Sequence, residues 1–367
     1  LSKFKISKLS RAFGKIVNLL TIVLVSLYVL FCGWFYFFED QFTSFFALHW
    51  YPRVRSLGST LVNVVPFPII YFLVGLIVLW LISLIINLLK RNWWKSLVSL
   101  LIGISILFTS FYVCWGFNYR LPTFVQRLSL KVNDPQADWI QSQIKSQAVI
   151  LDSIRSTLTI PSKIDYKHLH ANVEEAINQY LVELNQTQPL SLPYVIHDNI
   201  KIQPLGGGTL LRLETSGVYL SQTFQGHVDS GLSHIQIPNT LMHEMLHGYG
   251  ITEESDCNLI AYLAGSQSDD PWIRYSAGVA WFRYLAFDWI AQDREGYFAW
   301  RSQLSPLLIA DLDDINKHLR AYPALLGPVK DKIYGAYLRS NGISDGVANY
   351  SYFVKVIYSL EEGRNRD

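Results

Sequence analysis

Apolar residues crowd the first third of the chain and thin out after it. Three runs stand apart: about Ile16 to Phe38, about Val64 to Leu89 and about Leu97 to Phe117. Each is close to the ~20 residues that carry a helix across the hydrocarbon of a bilayer. Three such runs in series predict membrane-spanning helices rather than buried helices of a soluble core. The first follows Lys3, Lys5, Lys8, Arg11 and Lys15, a basic arm of the kind that also precedes a secretory signal. Its apolar part exceeds the ~7–15 residues of a signal core and no small-x-small cleavage site follows, so retention as a helix is expected.

From about Asn118 the pattern becomes that of ordinary globular sequence. Asp134-Pro135 predicts a helix start, with Asp134 as cap and Pro135 in the first turn. Ile140, Ile144, Ala148 and Leu151 then fall at the spacings of one buried helix face, continuing to about Leu158. A second helix is expected from His170 to Leu184. Between Ile200 and Val228 the texture shifts to turns and strands. Gly206-Gly207-Gly208 breaks the chain, and Thr215-Ser216-Gly217-Val218-Tyr219-Leu220 reads as a turn into a strand. The triple glycine is no phosphate loop, because no Lys-Ser/Thr follows it. From Pro238 the chain reads mostly helical to Leu360. The expected division is a membrane anchor over 1–117, a globular domain over 118–360 and a charged, frayed tail over 361–367. No internal repeat is visible.

Composition sharpens this picture. Half of the 367 residues are hydrophobic and only 16% are charged, lean for a soluble protein. A net charge of +2 is too small to argue for nucleic acid, and none is expected as a partner. Eleven Trp and 21 Tyr suit a protein with a membrane interface as well as aromatic packing in cores. The three cysteines, Cys32, Cys114 and Cys257, build neither a disulfide framework nor a cysteine metal site. Basic residues flank the first run and the loop between the second and third, as Lys90, Arg91 and Lys95. Arg53 and Arg55, between the first and second, are offset by Glu39 and Asp40. The positive-inside rule therefore puts the N-terminus in the cytoplasm, and three crossings put everything after Asn118 outside it.

One short motif carries chemistry. His243-Glu244-Met245-Leu246-His247 fits H-E-x-x-H, with both imidazoles on one helix face and a glutamate able to serve as general base. Pro238-Asn239-Thr240 supplies a helix start, with Asn239 or Thr240 as cap, and Gly248 or Gly250 a stop. Two histidines, a third protein ligand and a water make a catalytic zinc site. Glu253, Glu254 and Asp256 are the candidates for that third ligand, Glu253 and Asp256 sharing a face of the next helix. The alternative role for the two glutamates is to complement the positive end of that helix, which needs no metal.

The chain resembles a family of bacterial membrane proteins known as DUF3810, a domain of unknown function with zinc-peptidase character. Segments that carry the resemblance are Trp115-Gly116-Phe117-Asn118-Tyr119-Arg120, Ser216-Gly217-Val218-Tyr219, the histidine motif with Gly250, Asn258 to Ala264, Tyr275-Ser276 and Gly346 to Tyr350. It implies a three-helix membrane region followed by an α+β zincin-like metallopeptidase domain, mostly helical after the H-E-x-x-H helix. It also implies a bacterial cell membrane location and a peptide or protein substrate. The family pattern E-x-E-A-N falls on Glu254-Ser255-Asp256-Cys257-Asn258, which implies Asp256 as the third zinc ligand beside His243 and His247. Aspartate there replaces glutamate, shortening the reach by roughly one C–C bond, about 1.5 Å. Glu244 takes the role of general base. His227, Tyr275 and Tyr350 are candidate contacts to substrate or transition state, and Asn258 a residue that orients a ligand or caps local backbone. The competing expectations are a catalytically silent membrane sensor or scaffold of the same fold, and a zinc hydrolase acting on something other than peptides.

Overall fold

The computed structural model describes residues 2–325 and 352–364, with side chains described from residue 14 onward and not at residue 364. The chain forms two compact units. One comprises Leu1–Leu121 with Leu220–Phe224, the other Pro122–Tyr219 with Gln225–Asp367.

In the first unit, helix α1 spans Ser2–Phe37, α2 Glu39–Phe45, α3 Tyr51–Asn63, α4 Ile69–Leu89 and α5 Trp93–Cys114. Three stretches of these are long and apolar enough to cross a bilayer: Gly14–Phe37, Ile69–Leu89 and Trp93–Cys114, with mean hydropathies of 2.4, 3.0 and 2.2. Little of them is buried within the protein, 6, 6 and 11% of the most apolar windows, so their side chains look outward, as a lipid solvent requires. The second stretch begins five residues later than expected. Pro66 and Pro68 hold the chain extended ahead of it, since proline lacks an N–H and restricts the residue before it. The segment between the first two stretches is helical rather than a plain loop. Phe31 and Phe117 meet Phe42 and Phe46 there edge to face, with ring centroids 5.2–6.1 Å apart.

The second unit is mostly helical with a small mixed sheet. After the short α6 (Phe124–Arg127) come α7 (Ala137–Thr157) and α8 (Tyr166–Thr187). The start of α7 corrects the expected cap: Gln136 holds that position, and Asp134 instead pairs with Lys355 at 2.5 Å. Asp165 caps α8, accepting the N–H groups of Lys167 and His168. Strands β1 (Lys201–Leu205), β2 (Gly217–Leu220) and β3 (Gln225–Asp229) are ordered β1-β3-β2, with β1 parallel to β3 and Ile202 opposite Gly226. The buried Asp229 carboxylate gathers the glycine loop, accepting from the N–H groups of Gly208, Leu210, Leu211 and Gly231 at 2.7–3.0 Å. Gly208 needs its φ of +81° to make that turn.

Helices α9 (Ile237–Gly248), α10 (Glu254–Gln267), α11 (Pro271–Gln292), α12 (Arg294–Arg301), α13 (Pro306–Arg320) and α14 (Tyr352–Arg364) complete the unit. α9 lies against β3 and packs on α8, α10 and α11, so the histidine motif is wrapped on several sides by apolar side chains. The expected frayed tail is corrected over its first residues. α14 continues through Arg364, and Glu361 accepts from Trp139 Nε1 at 2.9 Å while Glu362 accepts from Asn133 Nδ2 at 2.9 Å.

Candidate metal centre

α9 begins at Ile237, earlier than the expected cap at Asn239 or Thr240. Pro238 sits in its first turn, where a missing N–H costs nothing. The Asn239 N–H is instead satisfied by Ser276 Oγ of α11 at 3.0 Å, so the neighbouring helix supplies the cap. The helix ends at Gly248. A Cβ at that position would come within 2.7 Å of the Ile200 side chain. Gly250, at φ +90°, then turns the chain back toward α10.

The turn brings Glu254, at the start of α10, to the histidines. His243 Nε2 lies 3.0 Å from Glu254 Oε2, His247 Nε2 lies 3.7 Å from the same oxygen, and the two Nε2 atoms are 3.2 Å apart. The other ring nitrogens are held from behind. His247 Nδ1 donates to the Ile251 carbonyl at 2.8 Å, and His243 Nδ1 is 2.9 Å from Asn258 Oδ1. A backbone carbonyl only accepts, so Nδ1 of His247 carries the proton and its Nε2 presents a lone pair when the ring is neutral. Asn258 thus holds the His243 ring from behind. The three side chains form a group able to hold a metal ion.

Asp256 is not part of that group, which corrects the third-ligand assignment. It is buried, and its Oδ2 accepts from the Phe124 backbone N–H at 2.7 Å. Burial pushes its carboxyl up to about 7. Residues two apart on a helix are turned by about 200°, whereas Glu254 and Asn258, four apart, share a face. That pairing was the signal in the sequence for Glu254. Glu253 stands just outside the helix, in the cap position.

Glu244 is not one of the three clustered side chains. Its side chain is buried at 4% exposure, and its Oε2 has no hydrogen-bond partner among the described residues. Two glycines make room for it: a Cβ on Gly217 of β2 would lie 2.5 Å from its Cγ and Oε1, and one on Gly226 of β3 3.5 Å from its Cβ. Burial pushes its carboxyl up to about 7, against the pull of both histidines. Burial raises Glu254 as well, but its bonds to His243 and His247 outweigh this and hold it well below the usual carboxylate range.

A cavity of ≈ 430 Å³ opens beside the cluster, with His243, Glu244 and Glu254 in its lining. Ser216, Gly217 and Ser276 also line it, as does Arg283, which the sequence reading had not singled out. The expected contacts His227 and Tyr275 do not line it. His227 is fully buried on β3, and since Gly226 turns toward Glu244, the alternation of a strand turns His227 the other way. Burial also pushes its imidazole down to about 4. The Tyr275 hydroxyl donates to Asp311 at 2.6 Å, in a buried network completed by Arg155. Tyr350 lies outside the described residues.

Fold and cluster together define a class: three apolar helices followed by a mostly helical unit with a small mixed sheet and a His-His-Glu group. The chain belongs to the family described as "Protein of unknown function (DUF3810)", whose model matches residues 46–358. No curated protein and no solved structure matches it.

Proposed function

We propose that the protein is a membrane-anchored, zinc-dependent metallopeptidase with a zincin-like second unit. The observation that carries this reading is the convergence of His243 Nε2, His247 Nε2 and Glu254 Oε2 beside a buried carboxylate with an unengaged oxygen. Ligands ~2.0–2.1 Å from a tetrahedral zinc are about 3.3 Å from one another. The separations of 3.0, 3.2 and 3.7 Å fit that spacing. Two imidazole nitrogens and one carboxylate oxygen are also a donor set that zinc favours.

When bound, Zn²⁺ would lower the pKa of a water molecule and polarise the scissile carbonyl. The chain's own part follows from its geometry. His243 and His247 are fixed in tautomer and orientation by Asn258 and the Ile251 carbonyl. Glu244 takes the proton of the attacking water at its unengaged oxygen and delivers it to the leaving nitrogen. β2 is an edge strand of the sheet, and Ser216 and Gly217 line the cavity at its start. An extended peptide can pair with such an edge. A silent scaffold would have no use for a buried carboxylate with an oxygen left unpaired among the described residues, whose desolvation is costly. In this reading the three apolar helices cross a bacterial cell membrane, with the N-terminus cytoplasmic and the cluster outside the cytoplasm.

The test uses full-length protein in detergent. Glu244→Gln should retain about one metal per chain and lose peptide hydrolysis, since an amide cannot take the water proton. His243→Ala and His247→Ala should lose the metal itself. Hydrolysis undiminished in Glu244→Gln would remove the proposed base and the mechanism with it.

A further inference from the structure

The α11 wall of the cavity is formed by Ser276, Val279, Ala280, Arg283, Tyr284 and Phe287, one face of the helix. At one end, Ser276 is tied to the start of α9. Arg283 lies seven residues further on, roughly 10 Å along the axis. Arg283 is the one lysine or arginine among the described lining residues, and it is half-buried. No hydrogen bond or ion pair joins it to another described residue. Other arginines of the same unit are engaged. Arg155 pairs with Asp311, Arg301 with Asp313, Arg127 bonds the Leu192 carbonyl and Arg274 the Ser268 carbonyl. A guanidinium removed from water without an acceptor is costly, and its planar fork matches a carboxylate.

We infer that Arg283 is an anion subsite of this cavity, which selects peptides by a carboxylate, either the C-terminal one or that of an Asp or Glu side chain. The inference rests on the peptidase reading and names its substrate class. On α11 the lining beside Arg283 is Val279, Ala280, Tyr284 and the exposed Phe287, so a bidentate pair there would meet no competing charge from the helix side.

The experiment measures binding to full-length Glu244→Gln protein in detergent, so that the peptides stay intact. The probes are acetyl-tetra-alanine as free acid and as amide, and the amide with one Glu or one Gln inserted. The expected result is that one acidic probe binds roughly tenfold or more tightly than its neutral partner. A free-acid preference assigns the C-terminal carboxylate and a Glu-over-Gln preference the side chain. Adding Arg283→Gln should abolish the preference and leave metal content intact, while Arg283→Lys should keep part of it. Equal binding of acid and neutral probes, or no binding of any, overturns the inference without reference to a variant. So does a preference that survives Arg283→Gln. The peptidase reading fails separately, by hydrolysis that survives Glu244→Gln in otherwise unmodified protein, whatever the acid preference.

Discussion

Glu254 and Asp256 show how much one helical step decides. Their carboxylates differ by a turn of about 200° around α10, and only Glu254 reaches the Nε2 atoms of the histidines. Asp256 holds the Phe124 N–H instead. Glu254→Gln is therefore expected to weaken metal binding at least roughly tenfold, because a neutral amide replaces the anionic donor. Asp256→Asn should leave metal affinity unchanged, and since an amide oxygen still accepts from Phe124 N, stability should move by no more than about 1 kcal/mol. Metal titration of the two full-length variants checks this. Lost affinity in Asp256→Asn with unchanged affinity in Glu254→Gln would restore the assignment that the resemblance implied.

At the scale of elements, the site depends on a close approach of helix and sheet. Gly217 on β2 leaves the space that the Glu244 side chain fills, and Gly226 on β3 flanks it. Gly217→Ala places a methyl group 2.5 Å from Glu244 Cγ and Oε1, so the carboxylate must shift. The histidines and Glu254 come from α9 and α10, not from the sheet. The variant should accordingly keep its metal while hydrolysis falls on the order of 10²-fold, the cost of misplacing a reacting group by about an ångström. Metal content and turnover measured on the same preparation test this. Turnover equal to the parent's would show that the position of Glu244 does not govern the reaction.

At the scale of the molecule, three apolar helices of nearly equal length precede the unit that carries the cluster. Basic residues flank the first, and Lys90, Arg91 and Lys95 lie in the turn between the second and third. The expected outcome is that the cluster faces away from the cytoplasm. A cysteine introduced at the exposed Gln186, at the end of α8, should react with an impermeant maleimide in intact cells. Protection in intact cells with labelling after lysis would reverse the orientation. The parent chain, with Cys257 buried, provides the background.

Elements whose signal is local were legible along the chain. Three long apolar runs can only be solvated by lipid or a large core, so the spans were legible from composition and length. The alternation of apolar and polar residues fixed α7 and α8 to within a few residues, and H-E-x-x-H fixed a helix with two histidines on one face. The spacing of Glu254 and Asn258 also held the third member of the group, once read as a four-residue step. Tertiary structure alone decided the rest. The route of Gly248 to Thr252 sets which face of α10 meets the histidines, and no pattern within α10 states that route. The Ser276 bond to Asn239 starts α9 from another helix, 37 residues on and roughly 120 Å of extended chain away. His227 and Tyr275 were plausible by residue type, and the alternation of β3 and the Asp311 network turned both away from the cavity. Arg283 carries no motif, and only the fold places it in the cavity lining, because lining a cavity is a relation among elements distant in sequence.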